Sequence, residues 1–265
     1  MNFRAIINFP HRELIVELTK RELKDRYAGH VLGSAWAILN PLLLIALYLF
    51  LFTVVFPVRF SGAWESSGGI ETYILSGLLP WLTFQEVLTK SCTGVRSNAN
   101  LVKQVVFPIV VLPVKTVLAS LLGQIITLVI FLIYIFFRTD RLDLVLLIYP
   151  AVMGLQILAM LGAAYALSAI GVFIKDVKDV VSVFAMANLF LQPILFAPEQ
   201  IPGSVRWLLY LNPFTYLTLC SQDVLFFNEI AHPTAWVVLA LISACAFLAG
   251  RVIFRKTSHL FSSVL

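Results

Sequence analysis

The feature that most constrains this chain is a set of long segments that carry no charged residue. Residues 31–58 form one such segment and residues 144–173 another. A helix needs about 20 apolar residues to cross the hydrocarbon core of a bilayer, and both segments exceed that length. With 60% hydrophobic and 12% charged residues, the composition excludes a soluble globular enzyme, a disordered chain and a fibrous protein. The sequence therefore predicts an all-α, polytopic membrane protein.

Six transmembrane helices account for the apolar segments. Their predicted ranges are 33–57, 72–91, 108–137, 144–173, 180–198 and 231–250. The second range is the least regular, because it contains Pro80 and has Glu86 and Lys90 near its end. No apolar stretch precedes the first range, so we expect no cleavable signal peptide. The chain is predicted to comprise a cytoplasmic interface helix, residues 1–30, and a six-span transmembrane domain, residues 31–265.

The first 30 residues are the most charged part of the chain. Glu17 and Arg21 are four residues apart with the acid first, as are Glu22 and Arg26, and this order favours a helix. We interpret the segment as an amphipathic helix at the cytoplasmic surface of the membrane. The alternative is a solvated helix that makes no contact with lipid.

A second unusual segment lies between the fifth and sixth predicted spans. Residues 207–222 are uncharged, but they number only 16 and contain Asn212 and Pro213 in their middle. We therefore predict that residues 199–222 form two short re-entrant helices on the outer side. Irregular backbone at membrane depth requires a cover of protein or a water-filled cavity, which makes this segment a candidate lining of a translocation path.

The distribution of basic residues supports this topology. With both termini in the cytoplasm, fourteen of the 19 Lys and Arg residues lie inside and four lie outside, and Lys115 lies near the start of a span. The four outside are Arg59, Arg138, Arg141 and Arg206. If residues 207–222 crossed the membrane completely, Arg251, Arg255 and Lys256 would move to the outside. The six-span topology agrees better with the excess of positive charge on cytoplasmic loops.

Several kinds of chemistry are absent from the sequence. It has no G-x-x-x-x-G-K-[ST] motif for ATP hydrolysis, and its four histidines have no partners at metal-ligand spacing. The three cysteines are scattered and predict no disulfide framework. Glu86 is expected at the membrane interface beside Lys90, and Asp223 and Glu229 are expected to be solvated in an outer loop. The sequence thus predicts neither a catalytic residue nor a metal or cofactor site.

Aromatic residues, 13% of the chain, concentrate in three places. The candidates are Trp36, Tyr48 and Phe52 in the first span, Phe184 and Phe190 in the fifth, and Tyr210 and Phe214 in the re-entrant segment. Aromatic faces stack on the apolar faces of sugar rings, so such a series would let a glycan slide without a deep binding site. The alternative for each residue is ordinary packing against lipid or an interfacial belt.

The sequence resembles the membrane (permease) subunit of polysaccharide-exporting ABC transporters, which export O-antigen, capsule or teichoic acid. The resemblance covers nearly the whole chain. It is carried by residues 17–43 with Tyr27, Leu32-Gly33, Trp36 and Asn40-Pro41, by Ser76–Trp81, by Asn98–Lys103 followed by Pro108, by Phe173–Asp179, and by Leu211–Pro213. Lys175 departs from the arginine that many members have there.

The resemblance implies a homodimer with a channel at its interface and two copies of a separate ATPase subunit, which would bind ATP and Mg²⁺. It implies a lipid-linked polysaccharide, O-antigen being the first choice, as the substrate that crosses the bacterial inner membrane. Residues expected to couple to the ATPase are Glu17, Arg21, Asn98, Leu101, Val102 and Lys103, with Leu101 and Val102 as an apolar knob. The substrate pyrophosphate would be attracted by Lys20, Arg21, Lys24 and Arg26.

Three alternatives stay open at this point. One is an ABC permease of the same fold that exports a drug or a lipid. Another is a membrane-embedded glycosyltransferase or acyltransferase, which would need clustered acids or histidines near one interface. The last is a passive channel without an ATPase partner.

Overall fold

The computed structural model describes residues 12–55, 69–103, 107–139 and 143–265. Within these ranges the chain is helical and contains no strand, which confirms the all-α prediction. The α-helices are α1 Arg12–Tyr27, α2 Trp36–Phe50, α3 Gly69–Gly94, α4 Ala99–Val102, α5 Val111–Thr139, α6 Tyr149–Phe173, α7 Val177–Asn188, α8 Gly203–Leu211, α9 Pro213–Gln222, α10 Pro233–Thr257 and α11 Phe261–Val264. Residues 1–11 of the predicted interface helix and residues 56–57 of the first span lie outside the described residues.

Four helical segments of the described part are long and apolar enough to cross a membrane. They are Gly33–Val55, Val111–Thr139, Leu144–Phe173 and Pro233–Val264. Short 3-10 or π segments extend α2 and α6 to these lengths, and a 3-10 turn together with α11 extends α10. The corresponding predicted spans began and ended within a few residues of these limits, except that the last helix runs on well beyond residue 250. The two other predicted spans, 72–91 and 180–198, correspond to α3 and to α7 with its 3-10 extension Leu189–Leu191.

Helix α3 lies at the centre of the bundle, where it packs against α5, α6, α7 and α9. Most of its residues are buried, including the polar Thr72, Ser76 and Ser91. A helix covered by protein does not need the uniformly apolar surface of a lipid-facing helix. Its central position therefore explains why α3 is less apolar than the four segments above.

Helices α6 and α10 approach each other closely through glycine. A Cβ atom added at Gly162 would overlap the backbone of Ala246, and one added at Gly250 would overlap the backbone of Gly162. Small residues allow such close contact between helix backbones in membranes. Gly162 of α6 and Gly250 of α10 thus serve the packing of these two helices.

Helix α1 packs against the protein with one face and exposes the other. Leu14, Ile15 and Leu18 join an apolar cluster with Val111 and Leu112 at the start of α5. The exposed face carries one apolar residue, Val16, among charged residues: Arg12, Glu13, Glu17, Lys20, Arg21, Lys24 and Asp25. The apolar face of this amphipathic helix is therefore used for docking onto the bundle.

Residues 199–222 form two short helices, α8 and α9, as predicted. The break falls at Asn212, whose side chain accepts a hydrogen bond from the Phe214 backbone N–H and so caps α9. Proline at the first helical position suits this start, because its missing N–H would have no partner there. Most of α9 is buried.

Candidate functional site

The predicted coupling segment directly follows α3. It consists of the 3-10 turn Arg96–Asn98 and the short helix α4. The Arg96 guanidinium donates to the Val172 carbonyl at the end of α6, 2.8 Å away, and the Asn98 amide donates to Gly94 O, also at 2.8 Å. These bonds hold the segment against the end of the bundle.

The predicted apolar knob of this segment requires a correction. Val102 is only 5% exposed and packs in the same apolar cluster as Ile15 and Phe261, so it anchors the segment instead of projecting from it. Leu101 is half-buried and Lys103 is exposed. Of the predicted pair, Leu101 alone offers apolar surface, with the charge of Lys103 beside it.

Ion pairs fix α1 to the bundle. The Lys115 ammonium lies 2.9 Å from a Glu22 carboxylate oxygen, and its side chain is 8% exposed. Arg26 pairs with Glu86, which also binds Lys90 at 2.7 Å. Removal of one partner of a largely buried pair leaves an uncompensated charge. These contacts therefore fix the position of α1 on α3 and α5.

The residues predicted to attract pyrophosphate separate into two groups. Lys20, Arg21 and Lys24 lie on the exposed face of α1. Lys20 pairs with Glu17 at 3.0 Å and Arg21 with Asp25 at 3.7 Å, and both ion pairs are exposed to solvent. Exposed ion pairs of this kind are weak. Arg26 instead turns toward Glu86 in the bundle, so its charge is already paired.

The seven candidate aromatic residues lie on two separate sets of helices. Trp36, Tyr48 and Phe52 belong to α2 and its π extension, which pack against α5 and α3. The Tyr48 and Phe52 rings stack with centroids 6.3 Å apart. Phe184, Phe190, Tyr210 and Phe214 belong to the segment from α7 to α9.

Phe214 lies in an aromatic cluster that the sequence analysis missed in part. Its ring contacts Trp81 and Phe84 of α3 at centroid distances of 5.1 and 5.0 Å, and Phe184 of α7 at 6.1 Å. Phe184, Phe190 and Tyr210 are largely exposed. The Ser76–Trp81 motif contained the relevant signal, but nothing in the sequence indicates that Trp81 meets Phe214.

The chain between α7 and α8 is held by buried polar side chains. The Pro193 carbonyl accepts hydrogen bonds from the Tyr73 hydroxyl at 3.0 Å and from the Gln222 amide at 2.8 Å. The Thr218 hydroxyl donates to the Gln192 side-chain oxygen at 2.8 Å. Side chains of α3 and α9 thus supply hydrogen-bond partners to the non-helical backbone between α7 and α8.

Asp223 is fully buried, which corrects its expected position in a solvated outer loop. Its carboxylate accepts hydrogen bonds from the Trp236 indole N–H at 2.9 Å and the His232 backbone N–H at 3.1 Å, and lies 2.7 Å from His232 Nδ1. The hydrogen bond to Asp223 raises the pKa of His232 above its usual value. Asp223 thereby ties the end of α9 to the start of α10.

No group of three His, Cys, Asp or Glu side chains within the described ranges is placed to hold a metal ion. The notable arrangements are instead the coupling segment, the charged face of α1 and the two aromatic sets.

Comparison with known proteins gives a consistent result. Residues 13–226 match the family described as ABC-2 type transporter. The chain is 28% identical over 255 residues to the O-antigen export system permease protein RfbA of Klebsiella pneumoniae, covering 96% of this chain and 95% of that protein. It is 28% identical over 256 residues to RfbA of Myxococcus xanthus, covering 96% of each chain. It is 22% identical over 258 residues to the polysialic acid transport protein KpsM of Escherichia coli, covering 93% of this chain and 95% of that protein.

Proposed function

The chain belongs to the ABC-2 type transporter family, and on this basis we propose that it is the membrane permease of a polysaccharide exporter. It is a transport subunit and not itself an enzyme. The observation that carries the proposal is similarity over nearly the full length to permeases named for O-antigen and polysialic acid. The sequence has no P-loop motif, and the family implies that a separate subunit hydrolyses ATP with Mg²⁺.

The finer topology of the proposal has six spans in the bacterial inner membrane, with both termini in the cytoplasm. Helix α3 has 26 residues, and at about 1.5 Å per residue this length suffices to cross. The fifth span is α7 with the irregular chain up to Ala197. Helices α8 and α9 are re-entrant from the outer side, and the polar contacts around Pro193 are the kind of cover that such a segment needs. The charge distribution supports this orientation.

The proposed active form is a homodimer. Only 6% of the most apolar window of the first span, Gly33–Val55, is buried within the chain. Helix α7 similarly exposes Val180, Val183 and Met186. We assign α2 and α7 to the dimer interface, where the two aromatic sets, which are separate within one chain, would meet across two copies and line the path of the glycan.

The proposed ATPase contact comprises Asn98, Leu101 and Lys103 together with Glu17 and Arg21 on the exposed face of α1. Val102 contributes indirectly, because it anchors the segment. Both parts lie at the same end of the bundle, since α1 and α4 contribute to one apolar cluster. Closure of the ATPase would therefore move both together.

The proposed substrate is a lipid-linked polysaccharide, with O-antigen as the first choice. The positive charges on the exposed face of α1, those of Lys20, Arg21 and Lys24, would attract its pyrophosphate. Arg26 contributes less, because Glu86 holds its guanidinium.

Copurification and an export assay test the proposal. The permease is coexpressed with a candidate ATPase from a neighbouring gene and purified in mild detergent, and the mass of the complex is measured. We expect a complex of two permeases and two ATPases that hydrolyses ATP and moves lipid-linked glycan into vesicles. A monomer without a partner would favour the passive channel or the membrane enzyme, and transport of a drug or lipid without glycan would favour the other class of ABC permease.

A charge reversal tests the ATPase contact. Lys103→Glu should lower glycan-stimulated ATP hydrolysis by about tenfold, the factor for loss of about 1.4 kcal/mol of contact energy, while membrane insertion is unchanged. Lys256→Glu reverses an exposed charge at the same end of the bundle and serves as the control. Equal effects of the two variants would contradict the assignment.

A further inference from the structure

Pro80 lies in the middle of the central helix α3. Proline has no backbone N–H, so the carbonyl four residues earlier, that of Ser76, loses its usual helical partner. The Ser221 hydroxyl of α9 donates to Ser76 O at 2.6 Å, and both serines are fully buried. A neighbouring helix thus satisfies the acceptor that Pro80 leaves open, as transmembrane helices with proline require.

A second helix, α6, also binds α3 at Pro80. The Gln156 amide of α6 donates to the Pro80 carbonyl at 3.1 Å. Gln156 is itself held by two reciprocal hydrogen bonds with Gln124 of α5, at 2.9 and 3.0 Å. Each of these polar groups is buried, where loss of a partner costs the most.

Gly77 lets α9 come close to the same turn of α3. A Cβ atom added there would lie 2.9 Å from Thr218 Cγ2 and 3.0 Å from Gln222 Nε2. Thr218 and Gln222 in turn hold Gln192 and Pro193 in the chain between α7 and α8, residues 192–197, which we call the outer segment. The turn of α3 before Pro80 and the outer segment therefore contact the same residues of α9.

The two halves of α3 have different attachments. The half before Pro80 binds the outer segment through the Tyr73 hydroxyl on Pro193 O. The half after it carries Glu86, bound to Arg26 and Lys90, and continues into the coupling segment. Helix α3 therefore connects the coupling segment directly to the outer segment, and Pro80 lies between its two attachments.

We propose that Pro80 is a hinge in α3 and that Ser221 and Gln156 are positioning residues that set its angle. Displacement of the coupling segment is then conveyed through α3 to the outer segment 192–197. The role of the hinge in transport rests on the proposed function, whereas the hydrogen bonds of Ser221 and Gln156 to α3 do not depend on it.

A double-mutant cycle tests the hinge by stability alone. In the wild-type background, Ser221→Ala leaves Ser76 O without its partner and should lower the folded-to-unfolded ratio about fivefold, as for one hydrogen bond. Pro80→Ala restores a backbone N–H for Ser76 O, so adding Ser221→Ala to it should have almost no effect. Ser243→Ala, which removes a buried hydroxyl without a hydrogen-bond partner, should act equally in both backgrounds. An effect of Ser221→Ala that is independent of Pro80 would overturn the proposal.

Transport measurements test the role of the hinge. Ser221→Ala and Pro80→Ala should each lower glycan exported per ATP hydrolysed at least severalfold, while ATP hydrolysis by the assembled complex persists. An unchanged ratio in both variants would overturn the coupling role. If the wild-type complex itself exports no glycan, the proposed function fails, and the stability cycle still decides the hinge.

Discussion

Asp223 shows how a single side chain organises the junction between α9 and α10. A buried carboxylate is costly unless it is paired and hydrogen-bonded, and here His232 and Trp236 supply those partners. The other group acting on His232 is Glu199, whose negative charge also raises the pKa of the imidazole. Helix α10 thus begins beside a buried carboxylate that is paired with one histidine.

The raised pKa of His232 predicts a pH dependence of stability. The folded state binds the proton more tightly than the unfolded state, whose pKa is about 6.5. This contribution is therefore complete below pH about 6.5 and is lost as pH rises through the higher pKa of the folded state. We expect the unfolding midpoint of the wild type in detergent to fall over that range. In His232→Gln the fall should be absent, and a variant that keeps it would place its origin elsewhere.

At the scale of elements, the sequence predicts where the helices lie but not which side chains meet between them. Apolar length located the four most apolar segments because lipid exposure demands a continuous signal. The charges of α1 are also evident in the sequence, but their local spacing predicts an ion pair between Glu22 and Arg26. The structure pairs them with Lys115 and Glu86 instead, because the packing of α1 on α5 and α3 brings distant residues closer than neighbours one turn away. Burial of Asp223 and Val102 was likewise invisible in local patterns.

The close contact of α6 and α10 can be tested by a glycine substitution, and a second glycine on α6 provides a matched control. Gly162→Ala should destabilise the protein by about 1–3 kcal/mol, because the new methyl overlaps the Ala246 backbone and forces the helices apart. Gly154 lies on the same helix with nothing within 4 Å of an added Cβ, so Gly154→Ala should be neutral or slightly stabilising. Chemical unfolding of both variants in detergent makes the comparison. Equal stabilities would show that the helices do not rely on this contact.

At the scale of the whole molecule, a single chain leaves its first span almost uncovered. Lipid alone could cover α2 and α7, since their exposed residues are apolar. One observation favours a second copy: the aromatic candidates are divided between α2 with its π extension and the segment from α7 to α9. Assembly of a channel from two copies would join them without any change in the fold of each chain.

Cysteine cross-linking tests this assembly. Leu43 of α2 and Val183 of α7 are 53% and 70% exposed, and each lies six or seven residues after the start of its helix. With the exposed Cys245 replaced by serine, Leu43→Cys combined with Val183→Cys should give a covalent dimer in native membranes. Leu241→Cys on α10 is equally exposed, at 61%, and as the single added cysteine it should stay monomeric because α10 faces lipid in the proposed dimer. Cross-linking through α10 with none through α7 would place the dimer interface at α10. The two aromatic sets would then stay apart, and this result would contradict the proposed path of the glycan between the copies.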